Sequence, residues 1–97
     1  MAIAIGGVQE LAVDLVVRTR TGRVFHVTEG MPVLGADGVH VGRLKQVRLA
    51  DMLVDRALRR DVYVPFEAIA DVRSEGIVLT IPADQVDSMN WAHPSLI

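Results

Sequence analysis

Histidine is the side chain in this sequence best suited to metal binding or proton transfer, and the chain has three, at positions 26, 40 and 93. No pair has the i, i+4 spacing of a helical metal site, or the i, i+2 spacing of two ligands on a strand with a third nearby. A hairpin at Asp37-Gly38 would bring Asp37 close to His40, so a cluster formed by the fold stays an alternative. The chain has no cysteine, which excludes thiolate ligands and cysteine nucleophiles. We predict no metal and no cofactor.

Catalysis by a nucleophile or by paired carboxylates finds little support in the sequence. Three serines are available: Ser74, Ser88 and Ser95. None lies in a Gly-x-Ser-x-Gly nucleophile elbow. The acidic pairs, such as Asp84 with Asp87, have the spacing of ordinary solvated faces, whereas glycoside hydrolysis needs two opposed carboxylates flanking a cleft. We predict that the protein is not an enzyme.

Three glycines between positions 35 and 42 could suggest a loop that binds phosphate. A phosphate loop, however, needs glycines that open a helix, and here Asp37-Gly38 separates two valine-rich runs. That pattern predicts a β-hairpin with a two-residue turn, in which both central residues adopt positive φ, and Gly35 belongs to the same turn. The apolar spacing slips by one residue after Val41, which predicts a β-bulge at Gly42.

The charged residues favour a soluble protein that binds no nucleic acid. Net charge is −2, and the basic residues fall in small groups among acids, without an aromatic platform for stacking bases. The apolar N-terminal run is interrupted by Glu10 and Asp14, is shorter than the ~20 residues of a membrane span, and lacks preceding positive charge. We therefore expect a cytoplasmic protein with no membrane association.

The elements that must position these residues are mainly β, because valine and isoleucine are abundant. Predicted strands cover residues 23–27, 31–34, 39–49, 52–58, 62–66 and 77–81. Residues 67–72 form a turn or a single helical turn, and residues 83–89 form a short helix. Pro65 cannot donate a hydrogen bond, so its strand lies at a sheet edge or stops there. Leu11, Val13 and Leu15 alternate as on a strand, although helical spacing fits residues 8–16 equally well; we favour the strand.

Three segments carry a resemblance to a known family. They are Gly30-Met31-x-Val33, Asp37-Gly38-x-x-Val41-Gly42 and Val64-Pro65-Phe66-x-x-Ile69. Together they resemble the PRC-barrel superfamily, which includes the cytoplasmic domain of the reaction-centre H subunit and the C-terminal domain of the ribosome-maturation factor RimM. The resemblance covers residues 27–91 and implies a small antiparallel β-barrel of about six strands with a short C-terminal helix. We divide the chain into an N-terminal apolar extension, 1–22, and a barrel-like domain, 23–97.

The resemblance implies a non-catalytic module that binds or scaffolds another protein. An RNA- or ribosome-associated factor and a barrel that binds a small molecule are the alternatives. Trp91 either pins the C-terminal segment to the domain or anchors a partner, since tryptophan is enriched in interface hot spots. The apolar surplus at the N-terminus predicts a homodimer in which Leu11, Val13 and Leu15 take part.

Overall fold

The computed structural model describes residues 14–95, and this part of the chain is mainly β, as the sequence predicts. Its eight strands are β1 (Asp14–Arg18), β2 (Val24–Thr28), β3 (Pro32–Leu34), β4 (His40–Val47), β5 (Asp51–Asp55), β6 (Val62–Pro65), β7 (Ile69–Arg73) and β8 (Gly76–Leu79). Two 3₁₀ helices, η1 (Phe66–Ala68) and η2 (Ala83–Met89), complete the secondary structure. No helix within residues 14–95 is long and apolar enough to span a membrane.

The strands form two sheets. The larger has the order β6-β5-β4-β3-β8-β7, and the smaller pairs β1 with β2. All pairings are antiparallel except that of β3 with β8. Residues from both sheets share one core, which is aliphatic apart from two phenylalanines and is centred on side chains such as Val33, Leu44 and Ile77.

The N-terminal strand prediction is confirmed for residues 14–17, whereas Leu11 and Val13 lie outside the described residues. Strand β1 pairs with β2 from Asp14 opposite Thr28 to Arg18 opposite Val24. Val17 is completely buried, and Leu15 is half-buried against the same core. The end of the predicted N-terminal extension is therefore part of the domain's own packing.

The hairpin between β3 and β4 is confirmed, but its turn differs from the predicted one. Gly38 N donates to Gly35 O over 2.9 Å, so Ala36 and Asp37 are the central residues. Only Gly38, at φ +81°, has positive φ in this turn. Asp37 accepts hydrogen bonds from the backbone N–H of Val39 at 3.2 Å and of Ala83 at 3.3 Å. The prediction of a two-residue turn was wrong, because the carboxylate of Asp37 stabilises a longer loop.

The register of β4 shifts twice, and the first shift lies beside Gly42, close to the predicted position. Val33 pairs with Gly42 and Leu34 with His40, which leaves Val41 as the extra residue. The second shift, against β5, leaves Lys45 unpaired. Gly42 itself serves close packing, because a Cβ there would collide with the backbone carbonyl of Asp55 in β5.

Three further predictions are settled along the rest of the chain. Pro65 lies in β6, an edge strand, as expected. The next segment is the 3₁₀ helix η1, and β7 begins directly after it at Ile69. The turn predicted over residues 67–72 is therefore too long, because its second half is a strand. The strand predicted over 52–58 ends at Asp55, which leaves Leu58 outside the sheet.

The C-terminal segment runs along the outer edge of β6. Trp91 is half-buried and packs against the core. Ala92 O accepts a hydrogen bond of 2.9 Å from Tyr63 N in β6, and His93 Nδ1 lies 2.8 Å from Asp61 O. These contacts satisfy backbone groups that an uncovered edge strand would expose.

Candidate functional site

The connection between β5 and β6, residues 56–61, is here called the Leu58 loop. Arg59 N donates to Arg56 O at 3.4 Å, which makes Ala57 and Leu58 the central residues of a turn. Leu58 adopts φ +64° and its side chain is fully exposed. Positive φ at the second central position is normally occupied by Gly or Asn, because a Cβ is crowded there. Leucine at this position therefore strains the backbone and gains no burial.

Arg56 fastens this loop to the rest of the domain. Its side chain is only 6% exposed; Nε donates to Arg60 O at 2.8 Å, and Nη1 donates to Asp87 Oδ1 in η2 at 2.9 Å. The other oxygen of Asp87 accepts a 2.5 Å hydrogen bond from Arg59. The hydrogen bond from Arg56 is the main cause that holds the pKa of Asp87 below its ordinary value. One carboxylate thus ties two arginines of the loop to the 3₁₀ helix.

The far end of the Leu58 loop is held as well. Asp61 Oδ2 accepts from Lys45 Nζ at 3.2 Å, and its carbonyl oxygen lies within hydrogen-bond distance of His93. A loop braced at both ends presents its tip in a fixed orientation, which reduces the entropy lost when that tip is bound.

Leu49 offers a direct comparison. It lies at the tip of the β4–β5 hairpin and is as exposed as Leu58. Its φ is not positive, since Leu58 and Asn90 are the non-glycine residues of the described chain with positive φ. Single exposed apolar residues are common on protein surfaces. The combination of exposure and backbone strain distinguishes Leu58 from Leu49.

A cleft of about 290 Å³ lies beside the Leu58 loop, and its walls combine charged and aliphatic side chains. Its lining consists of Val39, His40, Val41, Arg56, Arg59, Ala83 and Asp84. The start of β4, the loop and the start of η2 each supply part of the wall. Neither arginine is ion-paired with Asp84; both contact Asp87 instead.

The histidines that the sequence offered as ligands are separated in the structure. His26 pairs with Asp14 at 3.1 Å on an exposed face, His40 lines the cleft, and His93 contacts a backbone carbonyl. Over residues 14–95 no three His, Cys, Asp or Glu side chains gather in a way that could hold a metal ion.

Sequence reasoning missed the Leu58 loop because nothing in its residues signals a turn. Positions 57 and 58 carry Ala and Leu, without the Gly, Asn, Asp or Pro that usually mark one, and Leu58 continues the apolar pattern of β5. The contact of Arg56 with Asp87 spans 31 positions, a separation at which a single sequence carries no signal of ion pairing.

One comparison with known proteins gives a match. A family model described as "Uncharacterized protein conserved in bacteria (DUF2171)" matches residues 27–87, from the second half of β2 to the 3₁₀ helix η2. The matched region contains the Leu58 loop and every residue that lines the cleft. No curated protein and no solved structure matches the chain.

Proposed function

The chain belongs to the DUF2171 family, and we propose that it is a non-catalytic module that binds another protein through Leu58. The carrying observation is a fully exposed leucine, held at φ +64° on a loop fastened by the buried Arg56. The contact partner is a protein surface with an apolar pocket that receives the leucine side chain.

The free-energy cost of the Leu58 backbone supports a role for its side chain in binding a partner. A left-handed backbone destabilises a non-glycine residue by about 1–2 kcal/mol. Because the side chain of Leu58 is exposed in the free protein, burial does not offset this cost. Burying the leucine in a partner would contribute roughly 1.5–3 kcal/mol. Asparagine or glycine would relieve the strain in the free protein but lose this contribution. A partner contact therefore accounts for leucine at a position that otherwise suits Asn or Gly.

The arrangement of charges favours a protein partner over RNA. An RNA-binding surface needs unpaired cations directed at phosphates. Here half of the ten lysine and arginine side chains contact carboxylates of the same chain, in the pairs Lys45–Asp61, Arg48–Asp51, Arg56–Asp87, Arg59–Asp87 and Arg73–Asp71. Arg48 also lies over the ring of Tyr63, with its guanidinium carbon 3.9 Å from the ring centroid.

Capture experiments with matched variants test this function. The wild type, Leu58→Asn and Leu49→Asn are immobilised, exposed to a bacterial lysate, and the bound proteins are quantified by mass spectrometry. We expect one or a few proteins to bind the wild type and Leu49→Asn but not Leu58→Asn. An identical set on all three would contradict a contact through Leu58. Binding lost from both variants would show general apolar adhesion, which also contradicts it.

We further propose that the six-stranded sheet curves into a PRC-barrel-like fold in a cytoplasmic protein. The register shifts at Val41 and Lys45 support this curvature, because bulges bend strands and increase their twist. The sequence resemblance supports the family, and the absence of cysteine agrees with a reducing compartment.

We also propose a homodimer to which residues 1–13 contribute. The support is their apolar composition, since an apolar segment on the surface of a monomer would promote aggregation. Two-fold pairing is the commonest way to cover such a segment.

A further inference from the structure

The cleft beside the Leu58 loop holds charges of both signs that do not pair with one another. Arg59 and Asp84 both line it, and no ion pair joins them. Arg59 uses Nη1 for Asp87, which leaves Nε and Nη2 without an acceptor in the described part of the chain. Asp84 is exposed, and its carboxylate forms no ion pair with Arg56 or Arg59, which both contact Asp87. Positive and negative groups are thus both available to a molecule in the cleft.

Arg56 adds a donor from a side chain that is more than nine-tenths buried. Its Nε and Nη1 are engaged by Arg60 O and Asp87, and within residues 14–95 no acceptor contacts Nη2. Arg56 also lines the cleft. A guanidinium held at two of its nitrogens, with no acceptor on the third among residues 14–95, is preorganised for an anion such as a carboxylate.

The remaining lining residues define the rest of the ligand. Val39, Val41 and Ala83 provide an aliphatic wall, and Val39 is half exposed. His40 is the remaining polar lining residue. The volume of about 290 Å³ is large enough for a molecule the size of valine.

We propose that this cleft binds a small aliphatic α-amino acid. The carboxylate of the ligand accepts hydrogen bonds from Arg56 Nη2 and Arg59, its ammonium pairs with Asp84, and its side chain contacts Val39, Val41 and Ala83. A zwitterion matches the walls better than a phosphate dianion does, because Asp84 would repel a second negative charge. This proposal does not rest on the contact proposed for Leu58.

Titration followed by NMR tests the proposal on the full chain at pH 7.5. The probes are L-valine, 3-methylbutanoate, which lacks the ammonium, and isobutylamine, which lacks the carboxylate. We expect L-valine to cause saturable amide shifts at Val39, Val41 and Asp84, with a Kd in the millimolar range. Each fragment should bind at least about tenfold more weakly, since it loses one charge-assisted contact.

Variants identify the groups that act. Arg59→Gln and Asp84→Asn should each weaken L-valine binding about tenfold, and both side chains are exposed, so the fold should persist. Arg73→Gln is the matched control, because Arg73 is similarly exposed and also paired with an aspartate; its Kd should equal that of the wild type. No saturable shift with L-valine, shifts confined to other residues, or equal binding by 3-methylbutanoate would each overturn the proposal. Unchanged binding in Arg59→Gln or Asp84→Asn would do the same.

Discussion

Replacing Leu58 by asparagine should make the protein more stable, although leucine is the more apolar residue. The side chain is fully exposed, so its removal loses no burial. The backbone at φ +64° costs a leucine about 1–2 kcal/mol, whereas asparagine tolerates this region through its short polar side chain. Recovering about half of that cost raises the free energy of unfolding by about 0.5–1 kcal/mol. For a domain of this size such a change raises Tm by about 2–8 °C.

Leu58→Gly separates the strain from the other effects of the substitution. Glycine also relieves the positive φ, but it increases the conformational entropy of the unfolded chain by an equivalent of about 0.4–1 kcal/mol. The expected order of stability is therefore asparagine first, with glycine and leucine close together. Leu49→Asn, at equal exposure and without positive φ, should change stability by less than about 0.5 kcal/mol.

Urea denaturation of the four proteins, followed by circular dichroism, measures these differences. A lower midpoint for Leu58→Asn at an unchanged slope would refute the reasoning, because it would mean that the leucine side chain makes a stabilising contact in the free protein. An equal gain in Leu49→Asn would assign the effect to the removal of exposed leucine rather than to the backbone.

Three other changes have defined outcomes. Gly38→Ala should lower the free energy of unfolding by about 1 kcal/mol, because φ is +81° and the added methyl group meets no atom within 4 Å; unchanged stability would contradict the turn. Asp87→Asn should lower stability at neutral pH by weakening the partner of the buried Arg56. Because the folded pKa of Asp87 is lowered, the carboxylate contributes its full stabilisation above the ordinary carboxyl pKa of about 4 and loses it as pH falls through the folded value. The difference in free energy of unfolding between wild type and Asp87→Asn, measured in urea, should therefore stay constant from pH 5 to 7 and narrow below about pH 4. A constant difference down to pH 2 would contradict this. Light scattering should show a dimer for the full chain and a monomer for a chain that begins at Asp14, which keeps the buried Val17; a full-length monomer would contradict the dimer, and a truncated dimer would exclude residues 1–13 from it.

The sequence predicted the elements whose signals are local. Alternating apolar residues located most of the strands, and Asp37-Gly38 located the hairpin between β3 and β4. Pro65 correctly indicated an edge strand, since its missing N–H cannot join a ladder. The type of the Asp37-Gly38 turn was beyond local reasoning, because the carboxylate of Asp37 also accepts from Ala83, which is distant in sequence.

The candidate site lies where local signals mislead. Leu58 continues the apolar pattern of β5, so periodicity predicts a buried strand residue there. Arg56 and Asp87 come from segments that each look like ordinary charged surface, and only the fold brings them into contact. The cleft also forms only in the folded chain, because three separate segments supply its walls.

Asp87 supports both the Leu58 loop and one wall of the cleft, so the two sites are physically connected. Asp87 holds both Arg56, at the start of the turn that contains Leu58, and Arg59, at its end. A carboxylate bound in the cleft would contact the same two guanidinium groups through nitrogens that Asp87 does not use. It would therefore add a contact to the two arginines that flank the turn presenting Leu58. If both proposals hold, linkage requires that any effect of an amino acid on partner affinity be matched by an equal effect of the partner on amino-acid affinity.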